Sequence, residues 1–472
     1  MSSNAAINRS TAGASSQPET SSAWRQLVNS EDGWSIWIGL GLVIAAYLLF
    51  TSGKTLAWIA VTPPRWSTFA QIGAHLTGNA GRYAAQFALW LVLFSVAVKA
   101  IGYRLSEFVL AFVFVYVLSL LIFVLGQWTQ ASVYGFEPPL VALLLGLLIS
   151  NVIGLPRRLD AGFRVEFYIK TGIVLLGATL PFTLIVWAGP VAILQASIVS
   201  LTTFFVIYAV ARKLGLEQRF AATLGVGGAV CGVSAAIAIS GAVGTRKEHS
   251  SIAIATVIVW AIVMIFLLPF VARLLELPAG IGGAWIGTSE FADAAGLAAA
   301  QSYGNMVDSH LHDIGGTGEQ AVAAFTLMKV IGRDVWIGIW AFVLAIVATT
   351  RWERGTTAAG NPAAQIWLRF PKFVLGFLIA SLLVTAIVSG YTLAQYDSQV
   401  TPALIAPLRS LRTWAFIFCF LSIGLTTRFR ELAKSGAKPQ LAFAAGVVVN
   451  VLLGFVLSVW LFADHWRNLG QH

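Results

Sequence analysis

The sequence predicts an all-α polytopic membrane fold with about 11 transmembrane helices and two re-entrant or broken-helix segments. Three observations carry that prediction. Of 472 residues, 58% are hydrophobic and 11% charged, whereas soluble domains average about 25% charged. Apolar runs approaching the roughly 20 residues needed to cross a bilayer recur along the chain. Between Gly225 and Gly304, two pieces rich in Gly, Ala and Ser (Gly225–Ser234 and Gly287–Gly296) replace the usual Leu, Ile, Val and Phe. Backbone without bulky side chains survives at membrane depth only where protein buries it or where it lines a polar cavity.

Residues 1–32 are rich in Ser, Thr and Ala and hold no apolar run. They have the composition of a disordered tail, and no small-residue cleavage site marks a signal peptide. Gly33–Phe50 and Ala84–Lys99 make an extra N-terminal pair of spans (33–104). Their linker, with Pro63-Pro64 and several Trp, suits the membrane interface. Gly53-Lys54-Thr55 has the ending of a phosphate-binding loop, but Leu48 stands where that loop needs its first glycine. A first repeat (105–283) holds spans Ser106–Gly126, Pro138–Ile153, Val165–Trp187 and Val191–Arg212, the interrupted segment 220–247, and span Ile252–Leu275. A second repeat (284–463) holds the interrupted segment 284–303 and spans Gln320–Thr350, Lys372–Tyr391, Arg409–Thr427 and Leu441–Ala463. Residues 464–472 form a tail.

The net charge of +10 reflects basic residues in short loops between spans, which is the positive-inside pattern and not a nucleic-acid surface. Arg157, Arg158 and Arg164, then Arg212, Lys213 and Arg219, then Arg351, Arg354, Arg369 and Lys372, then Arg428, Arg430, Lys434 and Lys438 alternate with 127–137, 188–190, 304–318 and 392–407, which lack Lys and Arg. Placing the basic loops in the cytoplasm puts the N-terminus inside and the C-terminus outside a bacterial inner membrane. Cys231 and Cys419 lie in apolar segments, so neither a disulfide framework nor a CxxC metal site is indicated. No soluble domain is left for nucleotide hydrolysis, so any transport would draw on an ion gradient.

A repeat fits this topology. Gly177-Ala-Thr179-x-x-Phe182 followed by Gly189 matches Gly424-Leu-Thr426-x-x-Phe429 followed by Gly436, all at an offset of 247. The two copies end spans of opposite direction, as in the inverted repeats of secondary transporters. Arg219 and Arg246-Lys247 bracket the first small-residue piece, which fits a hairpin entered from the cytoplasm. Arg273 and the acidic loop 304–319 bracket the second, which would enter from outside. A broken helix crossing once is the alternative for each.

Glu290 and Asp293 are three apart and share a helical face. Held away from water, two such carboxylates share a proton or a cation, which suits coupling to H+ or Na+; in an exposed loop they would simply be solvated. Lys329 and Arg333 share a face inside a span, where ionisable residues mark function and where such a pair can bind an oxyanion; otherwise they snorkel or neutralise Glu290, Asp293 or Asp334. Gly227, Gly228, Gly232 and Ser234, with Cys231 among them, expose N–H groups where a helix restarts and attracts anions; the alternative is close helix packing. Thr288 and Ser289 join this substrate-binding set. Glu166 and Lys170 form an intrahelical ion pair. His310, His312 and Asp313 are a thin metal signature, and no catalytic residue, metal or cofactor is assigned.

At Lys170–Leu180, Gly227–Gly232, Ile286-Gly-Thr-Ser289 and Leu425-Thr-Thr through Lys434–Pro439, the chain resembles the bacterial family labelled sulfate exporters, conserved inner-membrane proteins, over about residues 106–462. Where related proteins carry His-Glu, this chain has Phe291-Ala292. Where they place Lys and Arg three apart, Lys329 and Arg333 are four apart. The resemblance implies a membrane transporter, and the label alone implies export. The residues support a secondary carrier of a small anion, sulfate or a sulfonate-like solute, working by alternating access in the lipid bilayer, as a monomer or homodimer. A passive anion channel and an intramembrane enzyme using Cys231 are the alternatives.

Overall fold

A computed structural model describes residues 28–133, 138–179, 182–309, 314–352, 372–392, 395–432 and 436–470. Helices make up the architecture, and among these residues there is no strand beyond an isolated bridge between Trp66 and Trp128. The long elements are α1 (Glu31–Thr51), α2 (Phe69–Gly78), α3 (Ala80–Ile101), α4 (Leu105–Gly126), α5 (Pro138–Ile153), α6 (Val165–Gly177), α7 (Phe182–Lys213), α8 (Gln218–Ala229), α9 (Val233–Val243) and α10 (Lys247–Leu274). They continue with α11 (Ala279–Ser289), α12 (Asp293–Asp308), α13 (Gly318–Thr326), α14 (Trp336–Val347), α15 (Phe373–Val388), α16 (Ala406–Thr426) and α17 (Ala437–Val456). Seven described helices are long and apolar enough to cross a membrane, three shorter ones are apolar, and large side chains such as Leu110, Phe205, Phe270 and Leu452 point outward. That outward apolar surface is what lipid requires of a helical membrane protein.

The helices sort into two packed bodies. In one, α16 lies against α5 and α6, α6 lies against α1 and α15, and α4 packs on α3 and α5. In the other, α7 packs on α8 and α17, α10 on α12, and α13 on α11 and α12. Contact between the bodies runs chiefly through α12, which touches α5, α6 and α16. The extra N-terminal helix is integral to the first body: Glu31 pairs with Arg164 (2.6 Å) and Asp32 with Lys170 (2.8 Å). Lys170 also takes its intrahelical partner Glu166, at 3.2 Å.

Both small-residue pieces are antiparallel helical hairpins. At the open end of α8–α9, Arg219 donates to the Gly244 carbonyl (3.2 Å) and the Thr223 and Thr245 hydroxyls meet at 2.8 Å. In α11–α12, the Tyr303 hydroxyl bonds the Leu277 carbonyl and its ring covers Gly282. The first hairpin opens beside Gly436–Pro439 at the start of α17. The second opens beside Gly315 and near Leu469, beyond the other end of α17. The hairpins therefore enter the bundle from opposite ends.

Several expected boundaries move. Loop 188–190 does not exist: Ala188, Gly189 and Pro190 lie inside the 32-residue α7, and the chain breaks after Gly177 instead. A proline removes one helix bond, but neighbouring helices re-satisfy the freed carbonyl in membrane proteins, so it need not end the helix. Loop 392–407 is largely wound, with a π-helical stretch from Tyr396 to Ile405 leading into α16. Loop 304–318 is shorter than expected because α12 runs to Asp308. The expected span Gln320–Thr350 is helical, but π-helical from Leu327 to Arg333. His310, His312 and Asp313 lie outside the described residues.

The α5–α16 crossing needs glycine on both sides. A Cβ on Gly424 would stand 2.5 Å from the Leu143 carbonyl oxygen and 2.7 Å from the Gly146 Cα. Gly424→Val and Gly146→Val are therefore expected to destabilise the protein by about 1–3 kcal/mol through overpacking. Gly41→Ala, with nothing within 4 Å, should be neutral or stabilising by up to about 1 kcal/mol. Melting temperatures of the detergent-purified variants check this, and three equal values would contradict the close crossing.

Candidate functional site

The two hairpin tips, Val230–Gly232 and Glu290–Ala292, meet inside the second body. Gly232 sits at φ +70°, and a Cβ there would lie 2.5 Å from the Phe291 carbonyl oxygen, so only glycine fits. Each tip ends one helix and starts another. The ends of α8 and α11 leave carbonyls with no partner in their own helix, on residues that are buried.

Lys329 and Arg333, both fully buried, fill that need. Arg333 donates from Nη1 to the carbonyls of Thr288 (2.7 Å), Glu290 (2.9 Å) and Gly287 (3.4 Å). Its Nη2 and Nε reach Gly228 (3.2 Å) and Ala229 (3.3 Å). Lys329 Nζ donates to the carbonyls of Val230 and Glu290, each at 2.9 Å. One positively charged pair thus closes both helix C-termini, where the helix dipole favours cations. Both residues sit on the π-helical stretch Leu327–Arg333, a winding that recurs at functional sites.

Acidic groups surround this pair. Asp293, the first residue of α12, places Oδ1 3.6 Å from Lys329 Nζ. Glu290 Oε1 accepts from the Ala292 N–H at 3.1 Å, and its Oε2 has no hydrogen-bond partner among the described residues. Asp334, next to Arg333, is also buried, and neither of its oxygens has one. The Cys231 sulfur and a carboxylate oxygen from each of Asp293 and Asp334 lie within 4.8 Å of one another. A thiol with two carboxylates can in principle gather a divalent ion, but the adjacent ammonium and guanidinium oppose so much added positive charge.

A cavity of about 210 Å³ lies against the tips, between the two bodies. Cys231, Val233, Ala292 and Asp293 form its hairpin wall; Glu166, Thr426 and Thr427 face them from the other body. The starts of α9 and α12 therefore border the cavity, and neither has a side-chain cap.

The sequence-derived site residues divide into three groups. Cys231, Gly232, Glu290, Asp293, Lys329 and Arg333 come together at the tips. Ser234 is half-buried in the first turn of α9, beside Val233. Gly227 packs on Val257 and Gly228 on Ile207 and Phe443, while the Thr288 and Ser289 hydroxyls face Gly454 of α17. Those four pack against other helices away from the cavity, and only the backbone carbonyls of Gly228, Thr288 and their neighbours reach Arg333. Sequence reasoning treated Asp334 only as a counter-charge; a third acid in an apolar stretch was the signal for it. It also missed Glu319, which binds Arg412 (3.0 Å) and Arg409 (3.2 Å), while Arg412 donates to Thr179 (2.7 Å).

A family model described as conserved hypothetical protein 698 matches residues 110–443. A UPF0324 membrane protein of Nitratidesulfovibrio vulgaris is 32% identical over 79% of this chain, and the chain spans 62% of that relative's length. One from Rhodopirellula baltica is 32% identical over 80% of this chain and 67% of its own. One from Nitrosomonas europaea is 28% identical over 92% of this chain and 96% of its own. No solved structure matches the chain. With its matched core and its helical, apolar fold, the chain belongs to the UPF0324 family of conserved membrane proteins.

Proposed function

We propose that the protein is a secondary active transporter of a small anion, sulfate or a sulfonate-like solute, driven by a proton or sodium gradient through alternating access. One observation carries the reading: two helical hairpins entering from opposite ends meet tip to tip at a cavity between two packed bodies. Sites at the meeting point of interrupted helices are the pattern of secondary transporters. The uncapped starts of α9 and α12 give the cavity its attraction for an anion, and Asp293 with Glu290 takes the coupling ion.

We also infer an inverted repeat, which supports the same reading. Asn450 donates to Thr203 at 3.0 Å, and these two positions are 247 apart, the offset of the repeated motif. Helices α6 and α16, and α7 and α17, are equivalent at that offset and pack on each other. The hairpins form a second pair: α9 packs on α14 and α12 on α10, so each second arm leans on the helix that follows the other hairpin.

The cavity reaches Glu166 and Thr427, next to Arg164 and Arg428, which the positive-inside rule assigns to the cytoplasm of a bacterial inner membrane. About 20 Å along α6 and α16, at 1.5 Å per residue, Glu319 of the second body is clipped to Arg412 and Arg409 of the first. We read this as an inward-facing state, closed outside by that clip.

Counterflow in proteoliposomes across sulfate, sulfonates and carboxylates, with and without pH and sodium gradients, tests the transport reading. Saturable, gradient-driven flux is expected for at least one anion, and Asp293→Asn should cut the gradient-driven component by about tenfold, a loss of about 1.4 kcal/mol. Flux that ignores both gradients would point to a channel; no flux with any anion would sink the assignment. The clip is tested by labelling Cys231 in a Cys419→Ala background with a membrane-impermeant maleimide. Labelling from the Thr427 side only is expected, and Glu319→Gln should add labelling from the opposite side. Unchanged sidedness would remove the clip from the cycle.

A further inference from the structure

The polar core at the hairpin tips holds three carboxylates, Glu290, Asp293 and Asp334, against two cations, Lys329 and Arg333. One negative charge is in excess if all are ionised. Asp334 is where that excess is least supported. It is 1% exposed and neither Oδ1 nor Oδ2 has a hydrogen-bond partner among the described residues. Lys329 and Arg333 direct their hydrogen bonds to the hairpin carbonyls. A charged, unpaired carboxylate in such a place is strongly disfavoured and is relieved by gaining a cation.

Every element around Asp334 limits which cation that is. Its own stretch brings Lys329 and Arg333, the second hairpin brings Asp293, and the first brings Cys231. Helix α7, which packs on the π-helical stretch, has no charged side chain before Arg212. Glu166 stands across the cavity. A metal cation would need several oxygens and would sit against an ammonium and a guanidinium, whereas a proton needs one oxygen. Asp334 does not line the cavity; Asp293 does, with its side chain 15% exposed.

We propose that Asp334 is the proton-holding residue of the core and that Asp293 is its gateway to the cavity. This deepens the coupling part of the transport reading and does not depend on which anion is carried. A hydronium ion in the cavity gives its proton to Asp293, forming an O–H bond and leaving water. That bond then breaks as the proton forms an O–H bond on an Asp334 oxygen. Nothing is oxidised or reduced, and the core gains one positive charge.

Infrared difference spectroscopy on the purified full-length protein in nanodiscs tests this without any transported solute. A protonated-carboxyl C=O band should be present at neutral pH, insensitive to sodium, and shifted in heavy water. Asp334→Asn should abolish it, Asp334→Glu should keep it at a displaced frequency, and Asp293→Asn should slow its exchange in heavy water by about tenfold or more. Each variant is compared only if it elutes as a monodisperse species; if Asp334→Asn does not, the shift or constancy of the band in Asp334→Glu decides. A band missing from the native protein, unchanged by both Asp334 substitutions, or removed by sodium would overturn the proposal. Failure of counterflow with a normal band would instead sink the transport reading and leave the proton site standing.

Discussion

Six backbone carbonyls, those of Gly228, Ala229, Val230, Gly287, Thr288 and Glu290, end two helices in the interior of the protein. An unsatisfied buried acceptor costs about 1–3 kcal/mol, so the hairpins can exist only if something donates to them there. Arginine suits the task because its planar fork spreads five N–H donors, enough to reach both hairpins from one position. Lysine adds a point charge where the two tips touch. The small residues at the tips follow from this constraint: the arms must come close enough for one side chain to bridge them, and Gly232 leaves room for the Phe291 carbonyl. So do the acids, because two buried cations bonded only to carbonyls would leave uncompensated charge.

The division into two bodies gives the repeated motif a second meaning. The chain passes from the first body to the second between α6 and α7, and again between α16 and α17. Gly177-Ala-Thr179 and Gly424-Leu-Thr426 lie at those two crossovers, where the glycines pack tightly on the Phe377 carbonyl and on Gly146. If the bodies move against each other, these two crossovers are covalent connections that must bend. Both carry the same Gly-x-Thr pattern.

Much of this was legible in the sequence. Composition gave away the membrane class, the two small-residue pieces marked the hairpin tips, and the interrupted segments 220–247 and 284–303 matched the hairpins to within five residues at each end. The rest was hidden for physical reasons. Ala188-Gly189-Pro190 reads as a break, yet α7 runs through it because a membrane helix can lose one bond and keep its direction. The partners of Lys329 and Arg333 are backbone carbonyls, which any residue carries, so no side-chain pattern announces them. Thr288 and Ser289 look like ligands by composition, and only the third dimension turns them toward Gly454. Asp334 passed for a counter-charge because a sequence cannot display a missing hydrogen bond.

The cations' commitment to the backbone changes how an anion carrier would have to work here. Lys329 and Arg333 cannot swing to a solute without leaving helix-ending carbonyls bare, so an anion's direct attraction falls to the starts of α9 and α12, each worth about half a positive charge. Asp293 is the first residue of α12, so its own carboxylate already sits where an anion would bind, and two negative charges there repel. Neutralising Asp293, by a proton on its way to Asp334 or by another cation, frees the helix start. In the proposed transporter, cation and anion therefore load together because they share one helix N-terminus. The coupling lies in that overlap, and it requires no long-range signal between separate sites.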